Sequence, residues 1–419
     1  MKNKITSFVF LCIVAIFPAF SEQIQEGEGY LEKKNGQCVL HLKGTAYDRG
    51  YQHGVLLKEQ IQRNIATYID GTLLIEKSKS DLPERLVEFY KSIPTIMSHV
   101  PDHFIQEMEG LADGAEVLVA KIVALNLFPE MFHCSGITVS GQASKDGEMY
   151  HARVLDYSIG KNLQTTAVLQ IVEPEKGIPF LNVSYAGFIG TVTGMNLEKI
   201  AIGEIGGLGY GSWNGIPMAF LLREILQNAS SIDDVKTILQ NSERTCEYYY
   251  VFSDGKTSES VGVYATAAQL QFIAPGESYS LMAPSKLPGN YGHNGDNDKF
   301  VHTSCAVEHT PYQTLLFEKN RRLAMLFRLQ PQDCLFLTGY PYPERYPVLV
   351  NRTLEQYGSI DENALMQIIK CPVARPSNLH NAIFKPSQLK VWISHAGPND
   401  EPACDQQYTE WNLDELLKG

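Results

Sequence analysis

The chain predicts an α+β fold of packed sheets with helices outside them, and three observations in its 419 residues predict it. Apolar residues recur at helical spacing from about residue 42 to residue 131. Short strand patterns take over after Cys134. Two later groups of helical segments each lead back into strands. About 400 residues follow the N-terminal segment described next, more than a usual single core, yet no Pro/Ser/Gly-rich linker and no repeat divides them. One large layered domain with a helical addition fits better than separate modules.

The elements follow in order. Lys2 and Lys4 precede an apolar run over residues 5–20 broken by Thr6, Ser7 and Pro18, and Ala19 and Ser21 complete a small-residue cleavage pattern. This predicts a secretory signal peptide over residues 1–21, since the run is shorter than the roughly 20 residues of a membrane span. Val55, Leu56, Ile61, Ile65 and Ile69 then mark a first helix. Ser80-Asp81 can cap a second, with Pro83 in its first turn and Leu82, Leu86, Phe89 and Tyr90 along it. Pro101-Asp102 opens a third, ending near Gly114, and a fourth covers about 117–127 before Pro129. Strands at 136–140 and 149–155 flank Lys145-Asp146-Gly147, whose Asp-Gly pair signals a hairpin. More strands are expected at 166–172, 180–184 and 200–204, then helices at 217–228 and 232–241, then strands at 247–252, 258–264 and 270–273. Helices at 314–329 and 359–370 precede a last strand pair at 382–384 and 389–394.

Composition narrows the function. Removal of Lys2 and Lys4 with no acid takes the formal charge from -12 to -14, which argues against nucleic acid or an anionic membrane as partner. Of eight cysteines Cys12 leaves with the signal segment, and the odd remainder permits three disulfides and one reactive thiol. His293, His302 and His309 lack Glu or Cys at ligand spacing, so neither a metal nor another cofactor is expected. The Gly-rich stretch 203–211 has no Lys-Ser/Thr of a phosphate loop and reads as a pocket loop or bend. Asn182, Asn228 and Asn351 begin glycosylation sequons by pattern.

A nucleophilic cysteine reacts as thiolate and needs a base and a cationic or hydrogen-bonding environment. Cys134 stands where the helical stretch ends and the first strand begins, and the returning strand carries Arg153-Val154-Leu155-Asp156. Side-chain alternation points Arg153 and Asp156 to opposite faces unless Asp156 lies just past the strand end. His151 reads as a packed or solvent-facing strand histidine, and the lesser reading of Arg153 with Asp156 is a structural ion pair.

The run Cys134-Ser135-Gly136-Ile137-Thr138-Val139, the Asp146-Gly147 turn and Arg153-Val154-Leu155-Asp156-Tyr157 resemble the pattern of N-terminal-nucleophile hydrolases, a group that includes bile-salt hydrolases, penicillin V acylase and acid ceramidase. The stretch 44–54 with Tyr-Asp-Arg-Gly-Tyr-x-x-Gly, Gly187-Phe188-Ile189-Gly190 through Gly194-Met195-Asn196, Leu222-Arg223-Glu224-Ile225-Leu226, and Ser377-Asn378-Leu379-His380 resemble its isopenicillin N acyltransferase-like branch. The resemblance implies a four-layer αββα sandwich preceded by a helical segment. It implies self-cleavage at His133-Cys134, giving a small chain over 22–133 and a catalytic chain over 134–419. Cys134 would be the nucleophile, its freed α-amine the base, Asp156 the anchor of that amine, Arg153 the lining of thiolate and carbonyl, and Asn196 the oxyanion donor. Asn290, Asn294 and Asn297 are candidates for a second asparagine. His133 departs from the Gly-Cys junction of the penicillin-processing member, which keeps an uncut precursor open. The expected activity is hydrolysis of a small-molecule N-acyl amide by a secreted protein with no stable membrane anchor. The alternatives are acyl transfer to an amine and a non-catalytic binding protein on the same scaffold.

Overall fold

The computed structural model of the chain describes residues 23–70, 84–127, 133–157, 159–206, 212–277, 333–338 and 345–418. The expected signal segment, the helix at 314–329, the glycines at 207–211, Asn290, Asn294 and Asn297, and His293, His302 and His309 lie outside them.

The stretch before Cys134 supplies strands as well as helices. β1 (Gln23–Glu26), β2 (Gly29–Lys34) and β3 (Gln37–Gly44) form a meander. Helix α1 (Ala46–Leu56) starts with a reciprocal cap: the Thr45 hydroxyl accepts from Asp48 N and the Asp48 carboxylate accepts from Thr45 N. Next come α2 (Lys58–Asn64), which continues as a π-helical turn over Ile65–Asp70, then α3 (Glu84–Met97), α4 (Asp102–Ala115) and α5 (Val119–Leu127).

α1 and α4 cross at backbone contact because each carries a Gly-x-x-x-Gly pair. A Cβ placed on Gly50 would lie 1.9 Å from Glu107 O, and one on Gly110 would lie 2.2 Å from Tyr47 O. Gly54 and Gly114 repeat this one turn further on, at 2.6 Å from Leu111 O and 2.4 Å from Tyr51 O. The Tyr-Asp-Arg-Gly-Tyr-x-x-Gly segment therefore serves helix packing. Its Arg49 reaches the buried Glu107 of α4 at 2.8 Å, and Glu107 also accepts from Arg223 at 3.1 Å.

The remaining strands are β4 (His133–Val139), β5 (Tyr150–Asp156), β6 (Ala167–Pro174), β7 (Phe180–Tyr185), β8 (Thr193–Asn196) and β9 (Ile200–Gly206). After α6 (Met218–Asn228) and α7 (Ile232–Asn241) come β10 (Glu247–Asp254), β11 (Ser260–Thr266), β12 (Leu270–Ile273) and β13 (Cys334–Thr338). The chain continues with α8 (Arg345–Glu355), α9 (Glu362–Ile368), β14 (Asn378–Lys385), β15 (Lys390–His395), β16 (Thr409–Asn412) and α10 (Leu413–Lys418). One sheet runs β1-β2-β3-β6-β7-β8-β9-β10-β11-β12, with β3 parallel to β6. The other runs β13-β4-β5-β14-β15-β16. They touch through one register pair, His133 with Gly206.

Strand alternation sorts the side chains into layers. Leu40, Val168, Val172, Ile200 and Ile202 pack under α1–α7, while Val39, Leu169, Ile171 and Ala201 face Ala382, Phe384, Val391 and Ile393 of the second sheet. The outer face of that sheet, with Ile137, Ala152, Ile383 and Trp392, is covered by Leu349, Val350, Leu365 and Ile368 of α8 and α9. This is the four-layer αββα sandwich that the resemblance implies. Among the described residues no helix is long and apolar enough to cross a membrane.

Candidate active site at the seam of the two sheets

Cys134 is the second residue of β4, beside the single pair that joins the sheets, and its free thiol is fully buried. On the same face, Leu155 of β5 is its cross-strand partner and Arg153 lies opposite Gly136. The Arg153 side chain lies across Gly203 of β9, where a Cβ would come within 2.7 Å of its Cγ. Only glycine leaves room for that path.

The guanidinium is divided among three partners. Nη2 donates to Cys134 Sγ at 3.0 Å and to Glu204 Oε2 at 3.2 Å; Nε donates to Glu204 O at 3.1 Å; Nη1 donates to His380 Nε2 at 3.2 Å. The thiol in turn donates to Glu204 Oε2 at 3.5 Å, and Gly206 N donates to Glu204 Oε1. Arg153 and Glu204 have no exposed side-chain surface, so this pairing is not screened by water.

Two β-bulges create this convergence. Opposite β10, Tyr249 pairs with Gly206 and Tyr250 with Glu204, so Ile205 is the extra residue. Opposite β5, Asn378 pairs with Asp156 and His380 with Leu155, so Leu379 is the extra residue. Bulges re-aim side chains, and these two turn Glu204 and His380 toward Arg153.

Burial pushes the Cys134 thiol well above its ordinary value, and the neighbouring Arg153 charge offsets this only in part. The charges of Glu204 and Asp156 push it up further, while the Asp156 backbone N–H pulls it down. In the continuous strand the thiol therefore holds its proton at neutral pH.

Asp156 and Arg153 do not converge through their side chains. Asp156 ends β5, pairs with the buried Arg345 at the start of α8, and accepts from Arg375 N at 2.9 Å. Its position opposite His133 keeps it next to the expected cleavage bond.

Asn196 is elsewhere, and its expected role as oxyanion donor needs correction. Its amide donates to Leu226 O at 3.0 Å and Ala229 O at 2.8 Å, and its oxygen accepts from Ile200 N at 2.9 Å. It ties the β8–β9 turn to the end of α6. Its partner Ile200 and Gly206 are the two ends of β9, six residue steps or on the order of 20 Å apart at strand rise. His151 is a packed histidine, bonded to Ser253 Oγ at 2.9 Å and lowered by burial to about 3.

Sequence reasoning did not single out Glu204, Arg345 or Tyr185. It quoted His380 within a motif but gave it no role.

No protein-family model matches the chain. It shares 30% identity over 397 residues with protein dcd1A of Dictyostelium discoideum, covering 87% of this chain and 80% of that one. With acid ceramidase of Rattus norvegicus it shares 26% identity over 196 residues, 40% of this chain and 49% of the relative, so it spans about half the acid ceramidase length. Among solved structures, an N-acylethanolamine-hydrolyzing acid amidase ortholog of Caenorhabditis elegans overlays 67% of this chain and 99% of its own at 13% identity and a TM-score of 0.40. On the identity carried across most of dcd1A, the chain belongs to the dcd1A family; its partial likeness to acid ceramidase does not single out the isopenicillin N acyltransferase-like branch.

Proposed function

We propose that this chain is a secreted, self-cleaving cysteine amidohydrolase that acts on a small-molecule N-acyl amide through a Cys134 thioester. The observation that carries this reading is the contact of a fully buried free thiol with Arg153 at 3.0 Å and with Glu204 at 3.5 Å. A paired structural arginine has no need of a thiol, whereas a nascent thiolate needs both a cation and a proton acceptor.

In the first step Glu204 takes the Cys134 proton and the sulfur attacks the His133 carbonyl carbon. Glu204 passes that proton to the Cys134 nitrogen, which leaves as an amine, and water then hydrolyses the thioester, freeing the His133 carboxylate and restoring the thiol. The new α-amine, with a reference pKa of about 7.7–8.0, takes over as base. It arises one residue from the pair His133–Asp156, which suits Asp156 to hold it. In turnover the sulfur attacks the substrate acyl carbon, the leaving amine takes the proton, and water releases the acid.

A small apolar cavity of about 30 Å³ is lined by Leu155, Leu163, Val183, Tyr185 and Phe188. Leu155 is the strand partner of Cys134, so this apolar lining lies beside the thiol, and an apolar acyl group is the substrate part it favours. Replacing Cys134 with alanine should abolish both the cut and turnover, and a cleaved chain on a denaturing gel would contradict self-processing. The motifs shared with the isopenicillin N acyltransferase-like branch favour transfer to an amine as the second reading. Product analysis with an added amine separates the two, because only a transferase forms the new amide efficiently.

A further inference from the structure

We infer that His380 is a positioning residue that aims Arg153 at Cys134, with Tyr185 and Thr193 fixing its ring. This rests on the reading of Cys134 as nucleophile and adds a residue that never touches the thiol. Arg153 Nη1 can only donate, so His380 Nε2 at 3.2 Å must accept with its lone pair. That makes His380 the neutral tautomer protonated on Nδ1, which donates to Tyr185 Oη at 2.8 Å. The Thr193 hydroxyl, 3.0 Å from Nε2, donates to the same lone pair.

The charge environment agrees with the geometry. The groups facing His380 are Arg153 from β5, Tyr185 from β7, Thr193 from β8 and His395 from β15. Burial, Arg153 and His395 all hold His380 well below its ordinary value, so the imidazole stays neutral and keeps accepting. Its full burial and the bulge at Leu379 leave the ring in one place. Glu204 O holds one edge of the guanidinium and His380 the other, and the remaining Nη2 protons point at Cys134 Sγ and Glu204 Oε2.

A cation held beside sulfur lowers the thiol pKa, so releasing it must raise that pKa. The test is the pH titration of ultraviolet thiolate absorbance in the full chain, each protein measured against its own Cys134→Ser counterpart. His380→Phe should move the Cys134 midpoint upward by about one pH unit, or roughly tenfold less thiolate at a fixed pH below it. His380→Gln, which restores an acceptor, should recover most of that shift. An unmoved midpoint in His380→Phe, with or without a lower Tm, overturns the proposal, and so does a Gln variant as shifted as the Phe variant. Should His380→Phe not fold, Tyr185→Phe decides: a smaller upward shift is expected, and no shift overturns the proposal. Failure of the nucleophile reading shows separately, as a wild-type chain that stays uncut while its thiol still titrates.

Discussion

At the scale of single residues, the proposed chemistry depends on how one guanidinium is shared. Arg153 contacts thiol, carboxylate and imidazole at once, and Glu204 is the carboxylate that touches Cys134. Glu204→Gln should slow self-cleavage by roughly 10²–10⁴-fold, the range for losing a general base, as followed by chain fragments on a gel over time. An unchanged rate would remove Glu204 from the proton path. Cys134 and Arg153 were legible because their spacing fixes them on adjacent strands. Glu204 and His380 were not, because each reaches the site through a bulge that interrupts strand alternation. Asn196 misled for a related reason: an asparagine after Gly-Met suits an oxyanion donor or a turn anchor equally, and only its three backbone partners decide. Asn196→Ala should cost about 1–3 kcal/mol in urea unfolding, from buried carbonyls left unpaired, while the cut at Cys134 persists. Loss of cleavage in a chain of undiminished stability would restore its catalytic role.

At the scale of elements, packing depends on glycines, and two groups of strands, β1–β3 and β8, escaped the sequence. The helix crossing of α1 and α4 depends on absent side chains, so Gly50→Ala forces a methyl onto the Glu107 carbonyl. It should destabilise by about 1–3 kcal/mol or more, measured by thermal or urea unfolding; a neutral effect would mean that the helices separate without cost. The helices were readable from their apolar period. Strands β1–β3 were not, because β2 carries Glu32, Lys33 and Lys34 along a half-exposed strand and β3 buries consecutive residues Val39–Leu42. β8 is four residues of Thr-Gly-Met-Asn, with little strand character of its own, and holds its place through pairing with β7 and β9.

At the scale of the whole molecule, the seam between the sheets is where the expected scissile bond lies, so cutting it need not unpair either sheet elsewhere. The two chains would stay joined across buried contacts, including Arg49 and Glu107 on one side of the cut with Arg223 on the other. Layering was legible in the order of elements; the seam was not, since it depends on the long-range pair His133–Gly206. The sandwich also buries neutral histidines: burial lowers His53 and His395 to about 4 and His151 to about 3. Their folded values lie below the unfolded one near 6.5, so their contribution is full above about pH 6.5 and is lost as pH falls toward 4. Tm should therefore fall over that window, and a flat profile would contradict neutral burial. The central claim, that Cys134 is armed by the breaking of its own peptide bond, is tested most directly by N-terminal sequencing of the purified protein. A second terminus beginning Cys134-Ser135-Gly136, absent from Cys134→Ala, is the predicted result. An active protein with the His133–Cys134 bond intact would contradict it.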